Sequence, residues 1–279
     1  MADQEKKKKI IRNIIYYGLL AIFAAIFIGS AIYIADYFKQ SYQAKDLYSS
    51  LADIKNNAAN AGNNGSIGGI DPTGSGNSGN GDDGGILPEY RELYQMNNDL
   101  VGWITVPGTI IDYPVMQTPT SVDYYLYKDF NKSYSNNGSI YVRESCDVFT
   151  PSDNVTIYGH RMNDGSMFAS LHNYLDKNFW EGHRTILFDT LYEHHTYEII
   201  AVFKTSANVG EGFPYHKFEV AADEAEFNEF VKTAKALSFY DTGVDAEYGD
   251  MLICLSTCTK RTDYSVANGR LVVMAKRIS

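Results

Sequence analysis

The sequence lacks what a disulfide framework, a zinc ribbon or a redox dithiol would need. Its three cysteines, Cys146, Cys254 and Cys258, cannot all pair, and none stand in a C-x-x-C arrangement. Positive charge is also scarce. The formal net charge is −10, and beyond residue 40 there are 18 Lys and Arg against 31 Asp and Glu, which argues against a nucleic-acid partner. No internal repeat is visible, and nothing in the sequence calls for a metal or a cofactor. Two further absences set the layout of the chain. Residues 14–35 contain no charge at all, and residues 56–85 contain almost nothing apolar.

The uncharged run, IIYYGLLAIFAAIFIGSAIYIA, makes a helix of roughly 33 Å at about 1.5 Å per residue, enough for a bilayer core of about 30 Å. Lys6, Lys7, Lys8, Lys9 and Arg12 precede it, whereas only Asp36 and Lys39 follow closely. The positive-inside bias therefore places residues 1–13 in the cytoplasm and everything after residue 35 outside. A cleaved signal peptide is the competing reading, with small residues at Gly29 and Ala31. The apolar run continues past them through Ile34, which favours an uncleaved, single-pass anchor. Residues 36–86 are expected to be a flexible tether, rich toward the C-terminal end in Gly, Asn, Ser and Asp.

Residues 87–279 are globular in pattern. Pro88 opens a short helix in PEYRELYQMN. Eight β-rich runs follow, at 102–106, 110–116, 138–143, 154–159, 185–189, 195–205, 251–257 and 270–276, separated by Gly, Asn and Asp turns. So many short strands in under 200 residues predict a mostly β fold closed into an eight-stranded barrel. Phe227, Phe230, Val231, Ala234 and Leu237 recur at helical spacing, which predicts an amphipathic helix over 223–238, between the sixth and seventh strands.

Three residues stand where a strand opens into a loop. Cys258 ends MLICLSTC, on the same face as Ser256 and Cys254; a strand-end thiol combines fixed position with solvent access, while Cys254 reads as core. His160 follows the apolar strand NVTIYG, and an imidazole is the usual activator of a thiol. The other five histidines fall in helix or turn surroundings. Arg270 opens the last strand, which pairs as a hairpin with the Cys258 strand, so a planar fork of N–H donors arrives beside the thiol. Arg261, in the intervening loop, is a rival for that role.

LSTC at 255–258 with GRLVV at 269–273 resembles the cysteine and arginine signatures of sortases, the cysteine transpeptidases of Gram-positive bacteria. YGHRMNDGSMFASL at 158–171 resembles the histidine segment of class B sortases, and GWITVPGTIIDYPVMQ at 102–117 resembles their first two strands. The resemblance implies an eight-stranded β-barrel with an N-terminal helix. It also implies Cys258 as nucleophile, His160 as general acid/base, Arg270 as oxyanion or substrate-positioning group, and Ser256 as a substrate contact. Some relatives carry an acid after the cysteine where Thr259 stands here, so no third carboxylate is assigned, Asp263 being the one candidate. The implied reaction cuts a C-terminal sorting motif of secreted surface proteins after its Thr and joins the acyl group to a peptidoglycan amine. Pilin polymerisation, hydrolysis by the same thiol, and a non-catalytic surface-binding barrel are the alternatives; the intact Cys258, His160 and Arg270 argue against the last.

Overall fold

The structure, a computed structural model, describes residues 2–64, 85–260, 263 and 265–279. It divides into two compact units, one ending at Gln43 and one spanning Ala44–Ser279. The first is the N-terminal part of one continuous helix, α1 (Ala2–Asn64). Among the described residues α1 is the one helix long and apolar enough to cross a membrane. Ile14, Phe23, Phe27 and Tyr33 lie exposed on it, a contiguous apolar surface of the kind that water disfavours.

The second unit begins with the remainder of α1 and continues with α2 (Pro88–Met96), whose Pro88 sits in the first turn, where no intrahelical N–H is needed. The strands are β1 (Leu100–Thr105), β2 (Asp112–Met116), β3 (Ile140–Val142), β4 (Asn154–Tyr158), β5 (Thr185–Thr190), β6 (Thr196–Ser206), β7 (Leu252–Cys258) and β8 (Gly269–Arg277). A short helix α3 (Lys177–Gly182) precedes β5, and α4 (Glu224–Leu237) lies between β6 and β7, as the spacing of its phenylalanines predicts. Asp223 caps α4 by accepting from the Glu226 N–H at 2.9 Å.

The eight strands close into a barrel in the order β1-β2-β3-β4-β7-β8-β6-β5. Two of the pairings, β2 with β3 and β4 with β7, are parallel, and the others are antiparallel. Alternation along β7 and β8 feeds two cores. Ile253, Leu255, Leu271, Val273 and Ala275 join the barrel interior, whereas Leu252, Cys254, Val272 and Met274 face outward and are covered by Phe227, Phe230, Val231 and Ala234 of α4. Burial on both faces makes these two strands a firm platform for a site at their ends.

The first part of the tether expected over 36–86 is helix instead. α1 stays helical to Asn64, and Ala44, Tyr48 and Leu51 are buried on the barrel. Lys55 reaches Asp112 at 2.8 Å and lies over the Trp103 ring, 4.4 Å from its centroid. The reason is geometric: residues 44, 48, 51 and 55 recur at spacings of four, three and four, so a helix aims all of them at one face. Burial pushes the Asp112 carboxyl up, but hydrogen bonds from Lys55 and Trp103 outweigh it and the net direction is down. Residues 65–84, the rest of the expected tether, lie outside the described residues.

Candidate active site

The barrel brings the three sequence-selected residues together at one end of three neighbouring strands. β7 lies between β4 and β8 in the sheet. In the antiparallel ladder Cys258 stands directly opposite Arg270. On the other side, the parallel ladder pairs Tyr158 with Ser256, and the Gly159 N–H donates to the Ser256 carbonyl at 3.1 Å. Continued by two residues, that register carries His160 to the side of Cys258. The parity of each strand puts all three side chains on the same, outward face, with strands about 4.8 Å apart. The thiol is thus flanked by an imidazole and a guanidinium.

Exposure separates the cysteines. Cys258 is exposed, while Cys146 and Cys254 are buried. Burial pushes the Cys146 thiol up to about 11, and burial of Cys254 beneath α4 drives its thiol further up still. Neither can offer a thiolate near neutral pH.

His160 is held by backbone rather than by a carboxylate. Its Nε2 lies 2.7 Å from the carbonyl oxygen of Leu126, in the 3₁₀ turn Tyr124–Tyr127. A carbonyl only accepts, so Nε2 carries the hydrogen and Nδ1 is the nitrogen left to exchange a proton. The ring also leans on Tyr127, with centroids 5.5 Å apart. Asp263 does not take the orienting role. Its carboxylate is bound by Lys204 at 2.6 Å and by Ser265, and these contacts hold its carboxyl well below the usual range.

Arg270 is oriented through one nitrogen. Its Nη1 donates to the Asn268 carbonyl (3.2 Å), the Asn268 side-chain oxygen (3.1 Å) and the Gly269 carbonyl (3.3 Å). These contacts orient the guanidinium, a planar fork whose N–H groups can donate to developing negative charge. Asn268 adopts φ +47°, in the left-handed region that asparagine tolerates, as the loop turns into β8. The rival Arg261 lies outside the described residues.

Two cavities meet at these residues. A groove of about 600 Å³ is lined by His160, Arg161, Cys258, Lys260, Asp263 and Arg270. A narrower one of about 230 Å³, on the other side, shares His160, Cys258 and Arg270 and adds Asp123, Leu126, Tyr141, Tyr158, Tyr215, His216 and Ser256. Ser256 is 1 % exposed and its Oγ lies 2.6 Å from the Tyr215 hydroxyl, so it meets this cavity as half of a hydrogen-bonded pair. Burial pushes that Tyr215 hydroxyl up to about 12. Tyr141 donates to Asp123 at 2.8 Å in the same wall.

Sequence reasoning did not find Asp123, Tyr141, Tyr158, Tyr215 or His216. Only Tyr158, two before His160 on the same strand face, carried a usable signal. His216, in the turn Tyr215–Lys217, is driven down by burial and then by Arg143, Lys217 and Arg270, which keeps it a neutral ring near neutral pH. His172, His183, His194 and His195 line neither cavity. Among the described residues no group of His, Cys, Asp and Glu is arranged to hold a metal ion.

Comparison with known proteins bears on the fold and the family. Residues 104–278 match the model of the sortase domain. Over 197 residues the chain is 34% identical to sortase B of Listeria monocytogenes, covering 71% of this chain and 77% of that one. The Staphylococcus aureus sortase B–substrate complex superposes with a TM-score of 0.70 at 25% identity, covering 86% of this chain and 98% of the other. Sortase B from B. anthracis, solved in complex with AAEK1, gives 0.66 at 29% identity, covering 87% and 99%. With the closed eight-stranded barrel, these likenesses show that the chain belongs to the sortase family of cysteine transpeptidases, in its class B branch.

Proposed function

We propose that this transpeptidase uses Cys258 to cut a C-terminal sorting motif of exported proteins after its Thr, and then joins the new acyl end to a peptidoglycan amine. The observation that carries the proposal is the adjacency of β4, β7 and β8, which lines up His160, Cys258 and Arg270 on one solvent-facing strand edge.

The chemistry follows from those positions. His160 takes the thiol proton at Nδ1, and the Cys258 sulfur attacks the Thr carbonyl to form a tetrahedral oxyanion. The guanidinium fork of Arg270 stabilises that charge where it develops. The C–N bond then breaks, His160 returns the proton to the departing amine, and a thioester on Cys258 remains. An acceptor amine attacks the thioester, loses its proton to His160, and leaves as the new amide while the thiol is regenerated. The two cavities meeting at Cys258 suit a reaction with two substrates, and the Ser256–Tyr215 pair supplies a polar contact for the peptide in the narrower one. The likeness to the S. aureus relative solved with its substrate supports a peptide substrate, and a motif of the Ser/Asn-Pro-x-Thr-Gly kind is the one to test first. The basic residues on the N-terminal side of the apolar run 14–35 favour a single-pass orientation with the catalytic domain outside the cell.

The test is intact-mass analysis of the full chain in detergent after incubation with a panel of such peptides. The expected result is an adduct equal to the acyl fragment on the native chain and on Cys254→Ala, and no adduct on Cys258→Ala. An adduct on Cys258→Ala would move the nucleophile elsewhere.

A further inference from the structure

We propose that Tyr48 of α1 is a positioning residue for His160, acting through the Leu126 carbonyl. The inference rests on His160 being the base of the transpeptidation described above.

The Leu126 carbonyl that fixes the His160 tautomer is not part of a strand ladder, so something else must hold it in place. The segment 137–139 does so. Gly138, at φ +57°, lies flat against the Leu126 carbonyl, and a Cβ there would overlap that oxygen. The next residue, Ser139, donates its N–H to the Tyr125 carbonyl at 3.1 Å and its hydroxyl to the Lys128 carbonyl at 2.9 Å. Residues 138 and 139 thus clamp both ends of the 3₁₀ turn that presents Leu126. Their own outer contact is Tyr48. Its hydroxyl donates to the Gly138 carbonyl at 2.7 Å and lies 3.2 Å from Ser139 Oγ. Its ring packs edge-on against Tyr113 at 5.3 Å.

Tyr48 is 5 % exposed and burial raises its hydroxyl far above the ordinary range, so it is a permanent neutral donor. One glycine therefore separates a side chain of the membrane-anchor helix from the carbonyl that orients the catalytic imidazole. Outer contacts of this type tune the basicity and orientation of a functional histidine. Losing the Tyr48 hydroxyl leaves the Gly138 carbonyl without its donor and loosens the clamp on the Leu126 carbonyl. That bond favours the imidazolium more than the neutral ring, because a charged donor bonds more strongly. The imidazolium in turn supports the Cys258 thiolate.

The probe is iodoacetamide, which reads the Cys258 thiolate without a sorting peptide; the two other thiols are buried. Alkylation of Cys258 in the full chain in detergent is followed by mass against pH for Tyr48→Phe, Lys55→Met and His160→Ala. Tyr48→Phe keeps the ring and its packing, while Lys55→Met cuts a different tie between α1 and the barrel. The expected result is a rate near pH 7 lowered about three- to tenfold in Tyr48→Phe, equivalent to moving the profile by half to one pH unit. Lys55→Met is expected to lose thermal stability with its profile unmoved. Profiles that move in both variants, or in neither, would overturn the positioning role while His160→Ala still shifts its own. A His160→Ala profile identical to the native one would instead remove the catalytic reading, and this inference with it.

Discussion

Leu51→Ala tests whether the end of α1 belongs to the folded domain or to the tether. Leu51 is 1 % exposed and sits in the barrel-side core with Tyr48 and Ala44. Truncating a fully buried leucine removes its transfer free energy and leaves a cavity, a loss of about 2–5 kcal/mol. The lower half of that range applies here, because a helix lying on the outside of a barrel can settle inward to fill part of the gap. About 2–3 kcal/mol, at about 2–4 °C per kcal/mol for a domain of this size, gives a fall in Tm of about 4–12 °C. The assay is thermal unfolding of the full chain in detergent by near-ultraviolet circular dichroism, with exposed Asn56→Ala in the same helix as the control. The control should stay within about 0.5 kcal/mol. If both variants melt with the native chain, residues 44–64 contribute no core and the domain begins at residue 87 after all.

Arg270→Lys keeps the charge but loses the planar fork, so transition-state stabilisation should fall by about 2–4 kcal/mol, or roughly 30- to 1000-fold in kcat/KM on a cleaved sorting peptide. Arg261→Lys should be nearly silent, and the opposite pattern would transfer the role. His172 carries a pH dependence of stability. Burial, and then Arg161, Lys260 and Lys204, lower its pKa from 6.5 to about 4. The unfolded chain therefore takes up this proton first as pH falls, and stability is lost between about pH 6.5 and about pH 4. Partial exposure limits the contribution to about 1–2 kcal/mol. His172→Gln should flatten that part of a denaturant-midpoint curve, and an unchanged slope would show that the ring titrates as it does in the unfolded chain.

Much of this architecture was legible in the sequence because its signals are local. The uncharged run 14–35 is long enough for a span, and the apolar runs in MLICLSTC and RLVVMAK announce two strands. Cys258 and Arg270 were legible as neighbours because a hairpin joins strands consecutive in the chain. The adjacency of His160 to Cys258 was not, since it depends on a parallel pairing of β4 with β7 across almost a hundred residues. The same holds for His216 and Tyr215, which a turn after β6 delivers to the site.

Two features escaped for other reasons. The partner of His160 is a main-chain carbonyl, and any residue at position 126 would supply one, so no side-chain pattern marks it. The packed end of α1 was masked by composition. Asn and Ala dominate residues 56–64, and only the helical spacing of Tyr48, Leu51 and Lys55 distinguishes the docked face from a tether.

The measurement that bears most directly on the account is the fate of the Cys258 thioester in the presence of an amine. Water and amine attack the same intermediate, and a site that orients the amine raises its effective concentration by orders of magnitude. With a sorting peptide alone, slow release of free acid and an acyl-enzyme persisting by intact mass are expected. Adding hydroxylamine should speed release and give the hydroxamate as the main product. Equal rates with and without hydroxylamine, with free acid as the sole product, would contradict transpeptidation at Cys258.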